Sequence, residues 1–242
     1  MLVRQAGGYL RNVIREPFVT CSVCGTPVDG YERCFRCYRH HTIAGIADVV
    51  VPLTYGIERT QAGILLRHYK DDVSAEARAQ HGRLIRRLLY LAIMKHQKCI
   101  EKRVGMSVTM RVTVPSLNRR PGVHPFTAIA QAMKAVDDDR LALVPAPDAI
   151  KERVVSASQF EVVPKRSLSG RHILVLDDTW TTGSNTQSAA LALRHAGADH
   201  VSVMVVGRWL SRTYGNNAEF IKTRLRRDYD PSICPVTGGA CP

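Results

Sequence analysis

Residues 173–184 read ILVLDDTWTTGS, and this stretch decides the fold. Its four apolar residues predict a buried strand, which runs directly into two carboxylates, Asp177 and Asp178, and then into a hydroxyl-rich turn containing a glycine. The pattern of residues 186–195 predicts a helix after the turn. Backbone N–H groups and the positive end of a helix dipole converge at such a turn, so it predicts an anion-binding cradle. The acidic pair favours ribose hydroxyls or a divalent cation beside the anion, because carboxylates repel a bare phosphate.

The string resembles the phosphoribosyl pyrophosphate (PRPP) motif of type I phosphoribosyltransferases, in which an apolar run, two acids and two variable positions precede Thr-Thr-Gly. The resemblance implies that Asp177 and Asp178, the predicted catalytic pair, hold the ribose hydroxyls. It also implies that the loop after them wraps the 5′-phosphate. The PRPP ligands predicted in this loop are Thr181, Thr182, Gly183, Ser184, Asn185 and Thr186. Asn185 replaces a Thr that is common in the family, although its amide still offers a donor. The alternative is a strand end without a ligand, where the acids only cap the turn.

The composition fits one substantial α/β domain with a small appendage. The chain has 242 residues, of which 45% are hydrophobic and 23% charged. No apolar run approaches the roughly 18 residues that a membrane span needs. The first residues lack the apolar core of a secretion signal. The sequence therefore predicts a cytoplasmic protein without a membrane span.

Basic residues give the chain a formal net charge of +13, and they are clustered. Such a field favours a polyanionic substrate or a nucleic acid, and the alternative is a set of solvated helix faces. The clusters are Arg83, Arg86 and Arg87, then Lys95, Lys98, Lys102 and Arg103, then Lys222, Arg224, Arg226 and Arg227.

The cysteine spacing predicts a structural zinc site. Cys21, Cys24, Cys34 and Cys37 form a C-x2-C-x9-C-x2-C array, in which each tight pair directs two sulfurs at one ion. Four thiolates close the coordination shell, so such an ion would stabilise a small zinc ribbon and would not take part in catalysis. Two unrelated pairs or a redox C-x-x-C motif are the alternatives.

The other three of the seven cysteines carry a weaker signal. Cys99 is interpreted as a helix residue without a role. Cys234 and Cys241 are interpreted as buried or free thiols in an irregular tail, although a second metal site formed by these two residues stays open.

The remaining pattern alternates strands and helices, which predicts a doubly wound parallel sheet of the type I phosphoribosyltransferase kind with its ligand at the carboxyl ends of the strands. Strands are predicted at 49–53, 107–114, 141–144, 173–176 and 201–206, and helices at 59–68, 74–98, 124–136 and 186–195. Residues 145–169 are predicted to form a hood or an extra edge pair over the site. The predicted divisions are a zinc-ribbon region at 1–45, a phosphoribosyltransferase-like domain at 46–215, and a basic helix with a Cys-containing tail at 216–242.

Two segments offer positive groups for a pyrophosphate. Lys70 ends the short helix at 59–68, and the segment after the second strand contains Ser116, Arg119 and Arg120 in a mobile anion-binding loop. All four are predicted PRPP ligands, and magnesium is predicted to bind diphosphate and ribose oxygens. A surface lysine and a basic turn are the alternatives.

The order of parts resembles the ComF family, which joins a zinc ribbon to a phosphoribosyltransferase domain and includes proteins linked to DNA uptake. The resemblance covers residues 21–210, with a clear departure in the loop at 120–126. It implies Mg²⁺-dependent transfer of phosphoribose from PRPP to an unidentified acceptor. The alternative is a non-catalytic ComF-like protein that binds PRPP or is associated with nucleic acid. A nucleic acid, a partner protein and a homodimer all stay open as partners.

A glutamine-dependent amidotransferase is not expected from this chain alone. Release of ammonia from glutamine requires a glutaminase domain with an activated cysteine nucleophile. Four of the cysteines are assigned to zinc, and the chain is too short for a second domain of that kind.

Overall fold

The computed structural model describes residues 8–71, 74–118, 122–136 and 141–242. Its strands are β1 (Val49–Ile57), β2 (Met110–Thr113), β3 (Ala142–Pro145), β4 (Phe160–Val163), β5 (His172–Trp180) and β6 (His200–Leu210). Its α-helices are α1 (Phe35–His41), α2 (Gln61–His68), α3 (Ala75–Val104), α4 (Pro125–Ala132), α5 (Ser184–His195) and α6 (Asn217–Arg224), and a 3₁₀ turn covers Ala157–Gln159.

Four strands form a parallel sheet in the order β1-β6-β5-β2. The two central strands, β5 and β6, consist almost entirely of buried residues, as expected for a sheet covered on both faces. Parallel strands end at the same edge of a sheet, so Asp177, paired with Val205 of β6, lies near the carboxyl edge. The predicted α/β class with a parallel sheet is confirmed, and its topology is compatible with a doubly wound fold.

Helices and loops cover the two faces of the sheet with separate apolar cores. On one face, α2, α3 and α4 pack through residues such as Leu66, Leu88 and Phe126. On the other face, α5 packs together with β3, β4 and three of the four N-terminal cysteines. The carboxyl edge between these layers is left to loops, and it is the edge where binding sites of such folds form.

The third predicted strand does not join the main sheet. β3 pairs antiparallel with β4 in a separate two-stranded sheet, and only β4 lies within the predicted hood or extra edge pair at 145–169. β3 has only four residues and ends at Pro145, which has no N–H to donate to a neighbouring strand, and such strands occur at sheet edges.

The N-terminal region and the tail lie against each other and against the main domain. Leu10 and Tyr229 share the core of the α3 face, and the Tyr229 backbone N–H donates to the Leu10 carbonyl at 3.0 Å. The region around the cysteine array contains one antiparallel bridge, Thr20 to Pro27, followed by α1. Its description as a ribbon therefore stays a prediction. Within the described ranges, no helix combines the length and apolar character that crossing a membrane requires.

Candidate functional site

The acidic pair lies at the carboxyl end of β5. Asp178 is 4% exposed. Its Oδ2 accepts a short hydrogen bond from the Tyr69 hydroxyl and forms an ion pair with Lys70 Nζ at 2.5 Å. Asp177 Oδ1 accepts from the Asp178 backbone N–H at 2.8 Å, and its Oδ2 accepts from the Thr186 hydroxyl at 2.9 Å. Residues directly after α2 and in the first turn of α5 therefore hold both carboxylates.

The loop after β5 turns sharply into α5 at Gly183. This residue is the N-cap of α5 with φ of +82°, in the left-handed region that favours glycine, and a side chain here would collide with the ring of the buried Trp180. The first N–H groups of a helix have no intrahelical acceptor, so those of α5 point out of its N-terminus. The Thr182 and Ser184 hydroxyls lie 3.1 Å apart beside them. These groups lie where the sequence predicts an anion cradle.

The two adjacent carboxylates interact strongly. Burial, together with the neighbouring charge of Asp178, raises the pKa of Asp177 to about 7, although the Thr186 hydroxyl and Lys70 oppose this shift. Near neutral pH Asp177 is therefore partly protonated in the folded chain. Vicinal hydroxyls that donate to both groups would favour the doubly ionised state, because hydrogen bonds to a carboxylate favour its charged form.

One cavity of about 310 Å³ opens at this edge of the sheet, within the volume range of small-molecule sites. Its lining includes every predicted PRPP ligand that the structure describes. These are Asp177, Asp178, Thr181, Thr182, Gly183, Ser184, Asn185, Thr186, Lys70 and Ser116. Arg119 and Arg120 lie outside the described residues.

The same lining contains residues that sequence reasoning did not select. Lys151 and Arg153 come from the segment between β3 and β4, and the Arg153 carbonyl accepts from the Ser184 hydroxyl at 2.9 Å. Their charges lie in a stretch without periodicity, so no local pattern marks them as ligands. Tyr69 precedes Lys70 in the chain, and its hydroxyl contacts Asp178.

A second cavity of about 600 Å³ adjoins the first and shares Lys70, Ser116 and His124 with it. The rest of its lining is apolar or uncharged, and includes Thr127 and Gln131. A molecule held in the first cavity would therefore have space for a reaction partner on the side that faces Ser116.

Four sulfurs, from Cys21, Cys24, Cys34 and Cys37, lie within 4.8 Å of one another, and those of Cys24 and Cys34 are 3.9 Å apart. Two thiolates on a tetrahedral zinc ion are separated by about 3.8 Å. The donor set and spacing therefore fit zinc, and this cluster could hold the ion as predicted. The turn between the first two sulfurs closes through the Gly25 N–H, which donates to the Cys21 carbonyl at 2.9 Å.

Arg208 connects the cysteine cluster to the anion cradle. It is 8% exposed, and its Nη1 donates to the carbonyls of Trp180 and Thr181, both at 3.0 Å. The same Nη1 also contacts the Trp209 carbonyl, and the charge of the guanidinium lies near the Cys24 sulfur. A guanidinium satisfies several acceptors at once because its N–H groups are fixed in a plane. Arg208 therefore holds the loop after β5 beside the cysteine cluster.

We expect Arg208→Lys to lower the stability of the protein and its affinity for a ligand of the loop after β5. A lysine keeps the charge but cannot hold the two carbonyls with the fixed geometry of a guanidinium, and each buried acceptor left without a donor costs about 1–3 kcal/mol. A loss of about 2 kcal/mol in the free energy of unfolding, and binding about tenfold weaker, should be measurable by denaturant titration and calorimetry. The exposed Arg212, changed to Lys, is the control. An unfolding midpoint equal to that of the wild type would remove Arg208 from this role.

The acidic pair also predicts a pH-dependent stability. The pKa of Asp177 is about 7 in the folded chain against an ordinary value of 3.8, so the folded state binds the extra proton. The contribution of this proton to the free energy of unfolding is fully present below about pH 4 and is lost as the pH rises through 7. We expect Asp177→Asn to stabilise the protein at pH 8 by about 1–4 kcal/mol, and by less at pH 5. Urea titrations at both pH values test this, with the exposed Asp29→Asn as control. A gain in stability that is the same at both pH values would contradict the raised pKa of Asp177.

Neither protein-family models nor curated proteins contain a match to this chain.

Proposed function

We propose that this protein binds PRPP with Mg²⁺ and transfers its phosphoribosyl group to an acceptor. The observation that carries the proposal is that one cavity contains both an ionisable acid pair and a helix N-terminus with its hydroxyl-rich turn. PRPP needs both features, because its ribose offers vicinal hydroxyls and its 5′-phosphate is an anion. A phosphate-binding loop alone would not require two carboxylates.

In the proposed mode of binding, Asp177 and Asp178 accept the ribose hydroxyls, and the turn at 181–186 donates to the 5′-phosphate. Lys70, which pairs with Asp178, would face the diphosphate, and Lys151 and Arg153 add positive charge to the lining of the cavity. Mg²⁺ would neutralise the diphosphate leaving group. The chain itself would contribute mainly orientation, by holding C1 of the ribose towards the second cavity.

The transfer breaks the bond between C1 and the diphosphate oxygen and forms one between C1 and the nucleophilic atom of the acceptor. Pyrophosphate leaves with the bonding electrons, and the acceptor loses a proton. Among the described residues, the lining of the second cavity beyond the shared Lys70 and His124 is uncharged, which favours a neutral acceptor, such as a nucleobase or ammonia, over an anionic one.

Thermal unfolding with PRPP and Mg²⁺ tests the binding step directly. A ligand at about a hundred times its dissociation constant stabilises the folded state by about 2.7 kcal/mol. Pyrophosphate release in the presence of a panel of bases and amines tests the transfer. Stabilisation without release would support a protein that binds PRPP and does not turn it over, whereas absence of both would refute the proposal.

The zinc ribbon and the ComF-like assignment belong to the same proposal. A cysteine cluster able to hold zinc lies upstream of the PRPP-like motif, in the order that the resemblance implies. The cluster shares an apolar core with Trp180, next to the cradle, so the two parts would act as one structural unit. A cytoplasmic location remains part of this proposal.

A second candidate function is binding of a nucleic acid. It is favoured by one observation, the exposed face of α3, where basic side chains surround the exposed Tyr90 and Met94. Basic residues contact phosphates, and an aromatic ring offers a surface on which a base can stack. The basic residues on this exposed face are Arg83, Arg86, Arg87, Lys95, Lys98 and Lys102.

Gel-shift titrations with single-stranded and duplex DNA at low and moderate salt test this second function. Binding through this face should weaken steeply with salt, and Arg83→Ala with Arg87→Ala should reduce the salt dependence. Binding that is absent at low salt would refute it and leave the PRPP proposal unaffected.

A further inference from the structure

A second group of side chains able to bind a metal lies between helix α3 and the C-terminal tail, away from the cavity that the acid pair lines. Among the described residues, the ligand atoms of His96, Cys99, Cys234 and Cys241 all lie within 4.8 Å of one another. His96 and Cys99 are three residues apart on α3 and so share one face of the helix. His96, Cys99 and Cys234 are buried, and Cys241 closes the group from the exposed side.

The ring of His96 is oriented as in a metal ligand. Its Nε2 lies 3.0 Å from the carbonyl oxygen of Pro231, an acceptor only, so this nitrogen carries the proton. The other nitrogen, Nδ1, is therefore unprotonated, and it lies 3.5 Å from the Cys241 sulfur. A ligating histidine commonly donates its second N–H to a carbonyl, which fixes the tautomer and directs the free lone pair at the metal.

The tail folds around Cys234 in a tight turn. The Gly238 N–H donates to the Cys234 carbonyl at 2.7 Å, and the Cys234 N–H donates to the Gly239 carbonyl at 2.8 Å. These two bonds close the turn around Cys234, so the backbone fixes this residue beside Cys241 and helix α3.

The spacing of the donors fits a tetrahedral zinc ion. Zinc bonds of about 2.3 Å to sulfur and about 2.0 Å to nitrogen separate a sulfur and a nitrogen ligand by about 3.6 Å. The distance between His96 Nδ1 and the Cys241 sulfur is 3.5 Å. A disulfide, by contrast, would need two of these sulfurs about 2.05 Å apart, and all of them are free thiols.

We propose that His96, Cys99, Cys234 and Cys241 form a second, structural zinc site that fastens the C-terminal tail to helix α3. Three thiolates and an imidazole complete the coordination shell, so the ion would have no open position for substrate. The irregular segment 225–242 has little secondary structure of its own to hold it in place. The site would join two parts of the chain that are separated by 135 residues, from Cys99 to Cys234.

The zinc ion of this second site would also support the N-terminal region, because the tail is hydrogen-bonded to that region. Asn12 Oδ1 accepts from the Asp230 N–H at 2.7 Å, and Arg15 Nε donates to the Pro235 carbonyl at 3.1 Å. The inference does not depend on the proposed function, because none of its four ligands lines the anion cavity.

Metal content of the purified, reduced chain tests the proposal. We expect two zinc equivalents in the wild type, and one in both Cys241→Ser and Cys21→Ser, after removal of loosely bound ions with a chelator. Cys241 is exposed, so its change to serine should leave the far-ultraviolet circular dichroism unchanged. The Gly238 and Gly239 amides of Cys241→Ser should exchange hydrogen at least about tenfold faster, because the turn that holds them would open.

Cobalt substitution tests the ligand set independently. Cobalt bound to the Cys21→Ser variant should show thiolate charge-transfer bands, and these bands should be lost when Cys241→Ser is added. A single zinc equivalent in the wild type that Cys241→Ser retains would overturn the proposal. So would iron in place of zinc at this site, or a disulfide involving Cys99, Cys234 or Cys241 found by mass spectrometry after alkylation.

Discussion

Replacing both Asp177 and Asp178 with asparagine is expected to abolish the stabilisation of this protein by PRPP and Mg²⁺. Asparagine keeps the size of each side chain but removes the charge that accepts hydrogen bonds from ribose hydroxyls. A hydrogen bond to a charged group contributes about 1.5–3 kcal/mol, so two of them are worth about 3 kcal/mol or more. Binding should therefore weaken by a factor on the order of a hundred or greater.

Thermal unfolding and calorimetry together separate this loss of binding from a loss of folding. At a ligand concentration that gives the wild type about 2.7 kcal/mol of stabilisation, the double variant should gain well under about 0.5 kcal/mol. Without ligand the variant should remain folded, because relief of the buried charge on Asp177 offsets the lost ion pair between Asp178 and Lys70. Asp29→Asn makes the same change on an exposed carboxylate and should bind like the wild type.

Each single variant sharpens the test further. Asp178→Asn removes the partner of Lys70 and Tyr69, whereas Asp177→Asn removes the acceptor of the Thr186 hydroxyl. If both carboxylates contact the ribose, each single change should weaken binding about tenfold. Wild-type affinity in the double variant would show that the acid pair does not face the ligand. That result would refute the proposed function.

The second large effect is expected from Cys24→Ser. The Cys24 sulfur is buried in a core that also contains Trp180 and Val205, and the charge of Arg208 lies near it. Loss of one ligand should release the zinc from this cluster, and the remaining thiols would then be buried without a metal. Because metal binding supplies folding energy to small metal-bound regions, we expect a loss of about 3–5 kcal/mol in the free energy of unfolding. For a chain of this size that lowers the melting temperature by about 10 °C.

Under the proposed function the same change should also weaken the PRPP response, because Arg208, which holds the Trp180 and Thr181 carbonyls, lies beside this cluster. Zinc content, melting temperature and PRPP binding are measured on the same preparation. Ser22→Ala, between the first two cysteines and exposed, is the matched control and should change none of the three. A Cys24→Ser protein with its full zinc content and melting temperature would show that this cluster is not a metal site.

Much of the fold could be predicted because its signals are local. The apolar runs of β5 and β6 mark strands buried on both faces, and the long apolar stripe of α3 marks a helix packed on the sheet. The boundaries were less accurate. β5 continues through Asp177 and Asp178 to Trp180, because pairing with β6 carries the extended backbone past the last aliphatic residue. α3 continues to Val104, where Gly105 ends it in a left-handed conformation.

The candidate site divides in the same way. The residues of 177–186 could be selected because a strand end, a turn and a helix N-terminus follow one another directly in the chain. Lys151 and Arg153 could not, since the hood that brings them to the cavity has no periodicity and depends on the pairing of β3 with β4. The interpretation of Cys99 as a helix residue without a role was incomplete, because the structure places it beside His96 and two tail cysteines.

The sequence by itself determined the α/β class, the acid pair with its anion cradle, and the first cysteine array, since each of these is encoded by residues close together in the chain. Only the tertiary structure decided which distant side chains meet. It brought Lys70 to Asp178, Arg208 to the cradle, and Cys234 and Cys241 to helix α3. The physical reason is that spacing along a helix, strand or turn sets which near neighbours share a face, whereas contacts across more than a hundred residues follow from how whole elements pack.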